Sequence, residues 1–521
     1  ANFNKTDVAR LDFSSFATPG RYRVVVEGVG CSYPFEIGAD VWRRAFWVQM
    51  KGLYNQRSGM ELGPPYTDFK KPRDMHPADG YRVTQTKYRA VEKGGEAWAE
   101  IPGGDTGEAA DGWGGYHDAG DWNPRRVTHM KVTMAQLEVF EMFPDYFEKL
   151  KLNIPETKGV PDILGEAIWE FECFRRLQHA DGGVGYGLES KGDPLPGEVS
   201  WLNSFASYAL APDYASSWFY AAVGARLSHD LAQYDAGRAA TYRESAVRAF
   251  AFAEQDFARD KAAGLIEKRK TWDAIDFRNL ATLELYRLTR EAQYHELFLQ
   301  DSVLKDDKPE LFAWGKHVQR DHAFLYARLP EGLGDAALKK KAVAALETMA
   351  GRALTYAGNN AFNLTTPDKG KPQAFGFYGA PDATDLTRAH FLTGKSEYLA
   401  GAVQATQFDS GCNPSNIVYT SGLGANPIKH PFKLDTRRTG QAAPLGLTPY
   451  GNIDFERWHD NMITWPITWY LSKYTTPDPY AWPTHESYWD LGAWPMLEEY
   501  TVDVWVPNIQ IWGYLAARPA R

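Results

Sequence analysis

The sequence predicts a mainly α protein, a ring of helical hairpins behind a short β segment, and three observations carry that prediction. From about residue 130 to 410, amphipathic runs of similar length follow one another with short or medium connections and few strand signals. Such runs stack as hairpins, open as a solenoid or closed as a ring, and the lack of a fixed repeat period favours the ring. Residues 1 to about 38, by contrast, alternate apolar and polar positions between Gly and Pro turns, which is a β pattern.

In that first stretch, Pro19-Gly20 is a turn signal, and Tyr22, Val24 and Val26 alternate behind it. Gly28-Val29-Gly30 turns the chain again before Tyr33, Phe35 and Ile37. Two or three strands do not make a stable sandwich alone, so the expectation is the tail of a β-sandwich whose earlier strands precede the numbered chain. From about Ala39 the pattern becomes helical, with Val41, Ala45, Val48 and Gly52 on one face. Residues 60 to 125 read as one long Gly- and Pro-rich excursion, a length that in a compact domain signals function. Helices are then expected at 130–143, 162–177, 215–230, 239–259, 275–289, 319–328, 335–351 and 380–408. In the second of these, Leu164, Ile168, Phe171, Phe174 and Leu177 keep helical spacing behind Asp162, an acid suited to a helix start. The last third returns to loops before an apolar run from Val502 to Ala517 that follows Glu498-Glu499-Tyr500.

Composition narrows the function. A net charge of −9 leaves no basic footprint for nucleic acid. No apolar stretch is long enough to span a bilayer, so no membrane partner is expected. Cys31, Cys173 and Cys412 are odd in number and far apart, which makes neither a disulfide framework nor a metal cluster. The 18 Trp, 28 Tyr and 27 Phe are an excess that serves a core and a sugar-binding groove equally well.

The most informative stretch is Gly114-Gly115-Tyr116-His117-Asp118-Ala119-Gly120-Asp121-Trp122. Its glycines argue for a tight loop with unusual torsions rather than a helix. Two carboxylates held close raise the pKa of one, or hold a cation or a water between them. The same spacing also serves loop caps, solvated faces and calcium sites. Tyr116 and Trp122 supply flat rings suited to sugar faces, so the pair reads as positioning a water beside a carbohydrate.

This stretch, together with Gly411-Cys412-Asn413-Pro414, Ser421-Gly422-Leu423-Gly424 and the ending Tyr488, Asp490, Glu499 and Pro507, resembles the family-nine glycoside hydrolases, mostly endoglucanases on β-1,4-glucans. The resemblance runs from about Ala39 to the end. It implies residues 39–521 as an (α/α)6 six-hairpin barrel, and residues 1–38 as the last strands of an immunoglobulin-like module. It implies Asp121 as the base of an inverting hydrolysis, Asp118 as its partner in holding the water, and Glu499 as the acid, in preference to Glu498, where the family usually has Asn. Inversion then requires base and acid carboxyls about 6.5–9.5 Å apart. Trp122, Trp272 and Trp314 are candidate sugar platforms. His430 is a candidate subsite ligand, although Lys429-His430-Pro431 departs from the family's His-His-Arg element and Arg437 and Arg438 come later.

Some family members carry zinc near the position of Arg57. Here Ser58 stands where a Cys is expected and only His76 follows, so no zinc is expected, while a structural calcium is. The implied substrate is a polysaccharide or an oligosaccharide. Exo-action on cello- or glucosamine-oligomers, with residues 63–112 as a wall, and an inactive carbohydrate-binding scaffold are the alternatives. Retention of Asp118, Asp121 and Glu499 together speaks against the scaffold. The implied location is secreted or periplasmic.

Overall fold

The computed structural model describes residues 8–94, 99–122, 125–268, 273–365, 383–452, 473–476, 478, 484–492 and 495–518. In chain order the strands are β1 (Gly20–Tyr22), β2 (Val25–Val26), β3 (Gly30–Cys31), β4 (Phe35–Ile37), β5 (Val83–Thr86), β6 (Asp105–Ala110), β7 (Arg125–Arg126), β8 (Gly187–Ser190), β9 (Ser207–Ala209), β10 (Phe312–Ala313) and β11 (His317–Val318). The principal helices are α1 (Val41–Asn55), α2 (Lys131–Met142), α3 (Asp162–Arg176), α4 (Tyr214–Leu231), α5 (Ala236–Ala262), α6 (Ala274–Thr289), α7 (Ala292–Asp301) and α8 (Arg320–Ala327). They continue with α9 (Ala336–Gly358), α10 (Ala383–Thr393), α11 (Ser396–Ala405), α12 (Leu434–Thr439) and α13 (Val506–Ala517).

The chain divides into two compact units. One holds Ala1–Asn55, Thr67–Phe69 and Ala350–Arg521; the other holds Gln56–Tyr66 and Lys70–Met349.

In the first unit, the N-terminal strands pair as their alternation requires, β1 against β4 and β2 against β3, both antiparallel. Helix α1 packs against α13. Gly52 lets α1 press onto the chain at Gly446, because a Cβ there would stand 2.2 Å from the Gly446 carbonyl oxygen. Gln49 Nε2 donates to that same oxygen at 3.0 Å. The stretch expected as one helix over 380–408 is two, broken at Gly394, whose φ of 71° is left-handed. Their small residues let α10, α11 and the end of α9 close on Ala350, Ala353, Leu386, Ala389 and Ala402.

In the second unit, residues of four helical segments converge on one carboxylate. Glu141, in the last turn of α2, receives Arg226 of α4 at 2.9 and 2.7 Å, Arg287 of α6 at 2.8 Å and Arg328, just past α8, at 3.0 Å. Arginines suit helix C-termini, where the macrodipole is negative. Residues in or just past the C-terminal halves of α2, α4, α6 and α8 thus meet at one carboxylate. The loops entering the N-termini of α2, α4 and α8 carry the Asp118–Asp121 motif, the β8–β9 segment and the β10–β11 hairpin.

The excursion over 60–125 is not all loop. It supplies β5 and β6 to a five-stranded sheet in the order β6-β5-β9-β8-β7, with β5 and β9 parallel and the other neighbours antiparallel. β7 is the exit of the Asp118–Asp121 loop, and it lies so close to β8 that a Cβ on Gly187 would stand 1.9 Å from the Arg125 carbonyl oxygen. Helix α7 was not expected; it begins just after Arg290, whose φ of 62° ends α6.

Candidate active site

The motif loop is built on the segment that follows α1. Arg57 bridges Tyr116 in antiparallel fashion, Ser58 N donates to Gly115 O at 2.8 Å, and His117 N donates to Gln56 O at 2.7 Å. Gln56 Nε2 reaches further along the loop, to Ala119 O at 2.8 Å. Gly114 and Gly115 have φ of 84° and 67°, the left-handed torsions expected of them. Side chains there would also collide, with Arg176 Nη2 at 2.6 Å and Glu170 Oε2 at 3.0 Å respectively.

Beneath the loop lies a set of buried charges. Glu166 takes Arg57 in a bidentate pair at 3.0 and 2.9 Å and the Tyr116 hydroxyl at 2.7 Å. Asp74 takes Lys71 Nζ at 2.6 Å, Gly59 N at 2.8 Å and His117 Nε2 at 2.6 Å. Burial alone would raise the Asp74 carboxyl, but Lys71 and His117 outweigh it and hold it well below the usual carboxylate range. Glu170 is the opposite case: burial pushes it up to about 8, against lowering by the Tyr116 amide and Arg125.

The two motif carboxylates sit differently on this frame. Asp118 is 7% exposed, and its Oδ1 lies 2.6 Å from His129 Nε2. Asp121 is half-buried. Trp122 is only 1% exposed. Its ring lies in the core and offers no open face to a sugar, which corrects the platform role expected for it. The adjacent apolar ring is drawn inside because burying it removes a large nonpolar area from water.

The terminal motif, in the first unit, separates the two candidate acids. Glu498 is 0% exposed, and its Oε1 accepts the amides of Leu491 and Gly492, the latter at 2.6 Å. Glu499 is half-buried, and its main-chain carbonyl accepts Tyr450 N at 2.6 Å. Asp490 accepts Lys429 N at 2.7 Å and His430 N at 2.8 Å, so it fixes the backbone that carries the exposed His430. Asn413 of the Gly-Cys-Asn-Pro element closes its own turn on Phe408 O and Ile417 O, both at 2.7 Å.

Of the remaining predicted residues, Trp314 is 81% exposed at the tip of the β10–β11 hairpin. Trp272 lies outside the described residues. Around Ser58, the hydroxyl accepts Arg125 Nη1 at 2.7 Å, and the same nitrogen lies 3.1 Å from Met75 Sδ. His76 instead caps its own turn, accepting Ala78 N at 3.1 Å. Sequence reasoning missed Asp74, Glu166, Glu170 and His129. None belongs to the motif stretch, and only the fold brings them under the loop.

Known proteins resemble this chain in family and in fold. The profile of "Glycosyl hydrolase family 9" matches residues 42–441. Endoglucanase D of Acetivibrio thermocellus is 24% identical over 453 residues, 84% of this chain and 68% of that protein. A xyloglucan-specific endo-beta-1,4-glucanase of Bacteroides ovatus is 25% identical over 452 residues, 81% of this chain and 72% of that protein. Among solved structures, a metagenome-derived glycoside hydrolase family 9 endoglucanase superimposes with a TM-score of 0.78 at 23% identity, covering 98% of this chain and 86% of that one. A Bacteroides ovatus GH9 structure gives 0.77 at 21%, covering 97% and 88%. The shared fold is the expected mainly α (α/α)6 barrel.

Proposed function

Since the chain belongs to glycosyl hydrolase family 9, we propose that it is an inverting endoglucanase that cleaves β-1,4-glucan, with Asp121 as base, Asp118 as its partner and Glu499 as acid. Residues 39–521 are the catalytic part in this reading, and residues 1–38 the end of an immunoglobulin-like module. Asp121 takes a proton from the attacking water while Asp118 shares in holding that water. Glu499 gives its proton to the leaving glycosidic oxygen.

The observation that carries the assignment is the contrast at 498–499. Glu498 is wholly buried with an oxygen committed to two backbone amides, whereas its neighbour keeps contact with solvent. An acid that must reach substrate is the second of the two. Asp121→Asn and Glu499→Gln are each expected to remove most activity on β-glucan oligosaccharides, at least about a hundredfold, the usual span for a general acid or base. Glu498→Gln is expected to be mild in kcat. A severe loss at 498 with activity kept at 499 moves the acid by one residue.

The exposed Trp314 and the held backbone at His430 support sugar subsites at those positions. Polymeric glucan does not cross a membrane, so the enzyme's working place in this reading is outside the cytoplasm, secreted or periplasmic. No helix among the described residues is long and apolar enough to cross a membrane.

The metal readings follow from charge. A zinc ion at Ser58 would face the Arg125 guanidinium, so none is proposed there. The expected structural calcium stays a proposal, but not at Glu141, His229 and Asp230, whose ligand atoms lie within 4.8 Å of one another. Glu141 already accepts three guanidiniums, and their positive charge opposes a divalent ion. Chelation is expected to lower the thermal midpoint, with calcium restoring it. Activity lost on chelation and regained only with zinc contradicts both readings.

A further inference from the structure

Arg125 opens β7, directly behind the Asp118–Asp121 loop, and it is only 3% exposed. One guanidinium nitrogen, Nη1, donates to Ser58 Oγ at 2.7 Å and to Met75 Sδ at 3.1 Å. The other, Nη2, donates to the Tyr81 hydroxyl at 3.0 Å. Arginine carries donors and no acceptor, so both hydroxyls accept here. The Tyr81 hydroxyl keeps its own hydrogen for Ser207 Oγ, 2.7 Å away in β9. These partners are all neutral. Burying a cation on neutral partners costs free energy that an apolar side chain of similar length would not, so packing does not account for an arginine at this position.

Its reach does. The two ends of the loop meet at one residue, the wholly buried Ser58. Ser58 N donates to Gly115 O at 2.8 Å where the chain enters the loop, and Ser58 Oγ receives Arg125 where the chain leaves it. Arg125 is itself held in β7 by pairing with Leu188 of β8. The planar fork of a guanidinium binds two hydroxyls in a fixed mutual geometry, which a flexible ammonium does not reproduce.

We infer that Arg125 is a positioning residue for Asp118 and Asp121: its hold on Ser58 and Tyr81 fixes the exit of the loop against the segment that fixes its entry. The carboxylates carried between those two ends then keep one placement before substrate arrives. The inference rests on the reading of Asp118 and Asp121 given above. A tie between buried groups does not meet the sugar, so it acts on the chemical step, through the placement of the reacting groups, more than on substrate affinity.

Steady-state kinetics of the full chain on a soluble β-1,4-glucan oligosaccharide, run well below each variant's thermal midpoint, test it. Arg125→Met is expected to lower kcat about 10- to 100-fold, as for a small misplacement of reacting groups, with KM changed less than about twofold. Arg125→Lys keeps the charge but not the fork, and is expected to recover only part of that loss. Ser58→Ala keeps the amide bond to Gly115 and removes the acceptor, and is expected to lower kcat about three- to tenfold. Because the two residues act through one contact, Ser58→Ala combined with Arg125→Met is expected to lose little more than Arg125→Met alone. Unchanged kcat in Ser58→Ala or in Arg125→Lys, a loss that falls on KM alone, or losses that multiply in the double variant overturns the inference. Should Arg125→Met fail to fold, Ser58→Ala and Arg125→Lys still decide it. If Asp121→Asn stays active, the functional reading fails. The coupling of Ser58 and Arg125 in chemical unfolding, measured with the same variants, then still decides whether the tie exists, and additive losses of stability contradict it.

Discussion

At Glu170 the physical chemistry of the loop's support can be read by pH. The carboxyl lies under Gly115, its ordinary value is 4.5, and burial pushes it up to about 8. A group whose folded value is raised takes up a proton on folding. Its contribution is therefore fully present below the ordinary value, and is lost as pH rises toward and through about 8. Glu170→Gln removes that dependence while keeping the shape. The thermal midpoint of the native protein is expected to fall more steeply than the variant's between about pH 5 and about pH 9. Parallel curves contradict the assignment. None of this was legible in the sequence, where Glu170 is one acid on a helix face. The loop itself was legible, because Gly114 and Gly115 announce a backbone that only a loop adopts. The role of Trp122 was misread for a related reason: sequence shows an aromatic beside a base, but not which way the ring is buried.

At the scale of elements, the helices were the most legible part, since their apolar spacing is the face they bury. Leu164, Ile168, Phe171 and Phe174 of α3 are all buried. The sheet was not legible. β6 reads Asp-Thr-Gly-Glu-Ala-Ala and is exposed at nearly every position, so it lacks the alternation that marks a half-buried strand. β9, the parallel partner of β5, is remote in sequence. The tie at Glu141 was invisible for the same reason, as its arginines come from α4, α6 and the residue just past α8. Removing one partner of a buried ionic set leaves the others uncompensated, so Glu141→Ala is expected to destabilise by about 3–5 kcal/mol. Chemical unfolding followed by fluorescence measures this. A change under about 1 kcal/mol, the size of an exposed pair, contradicts a stabilising tie at that end.

For the whole molecule, sequence patterning reached the mainly α class, and the motif stretches reached the family. The partition of the chain was beyond it. The boundary between units falls inside α9, and the predicted base and acid lie in different units, Asp121 in one and Glu499 in the other. No local pattern marks such a division, because it is set by contacts distant in sequence. The central claim is that hydrolysis proceeds with inversion, by a water that Asp121 activates. The most direct measurement is proton NMR of the first product released from a β-1,4-linked oligosaccharide, taken before the anomers equilibrate. The account predicts the α-anomer first; initial release of the β-anomer contradicts it.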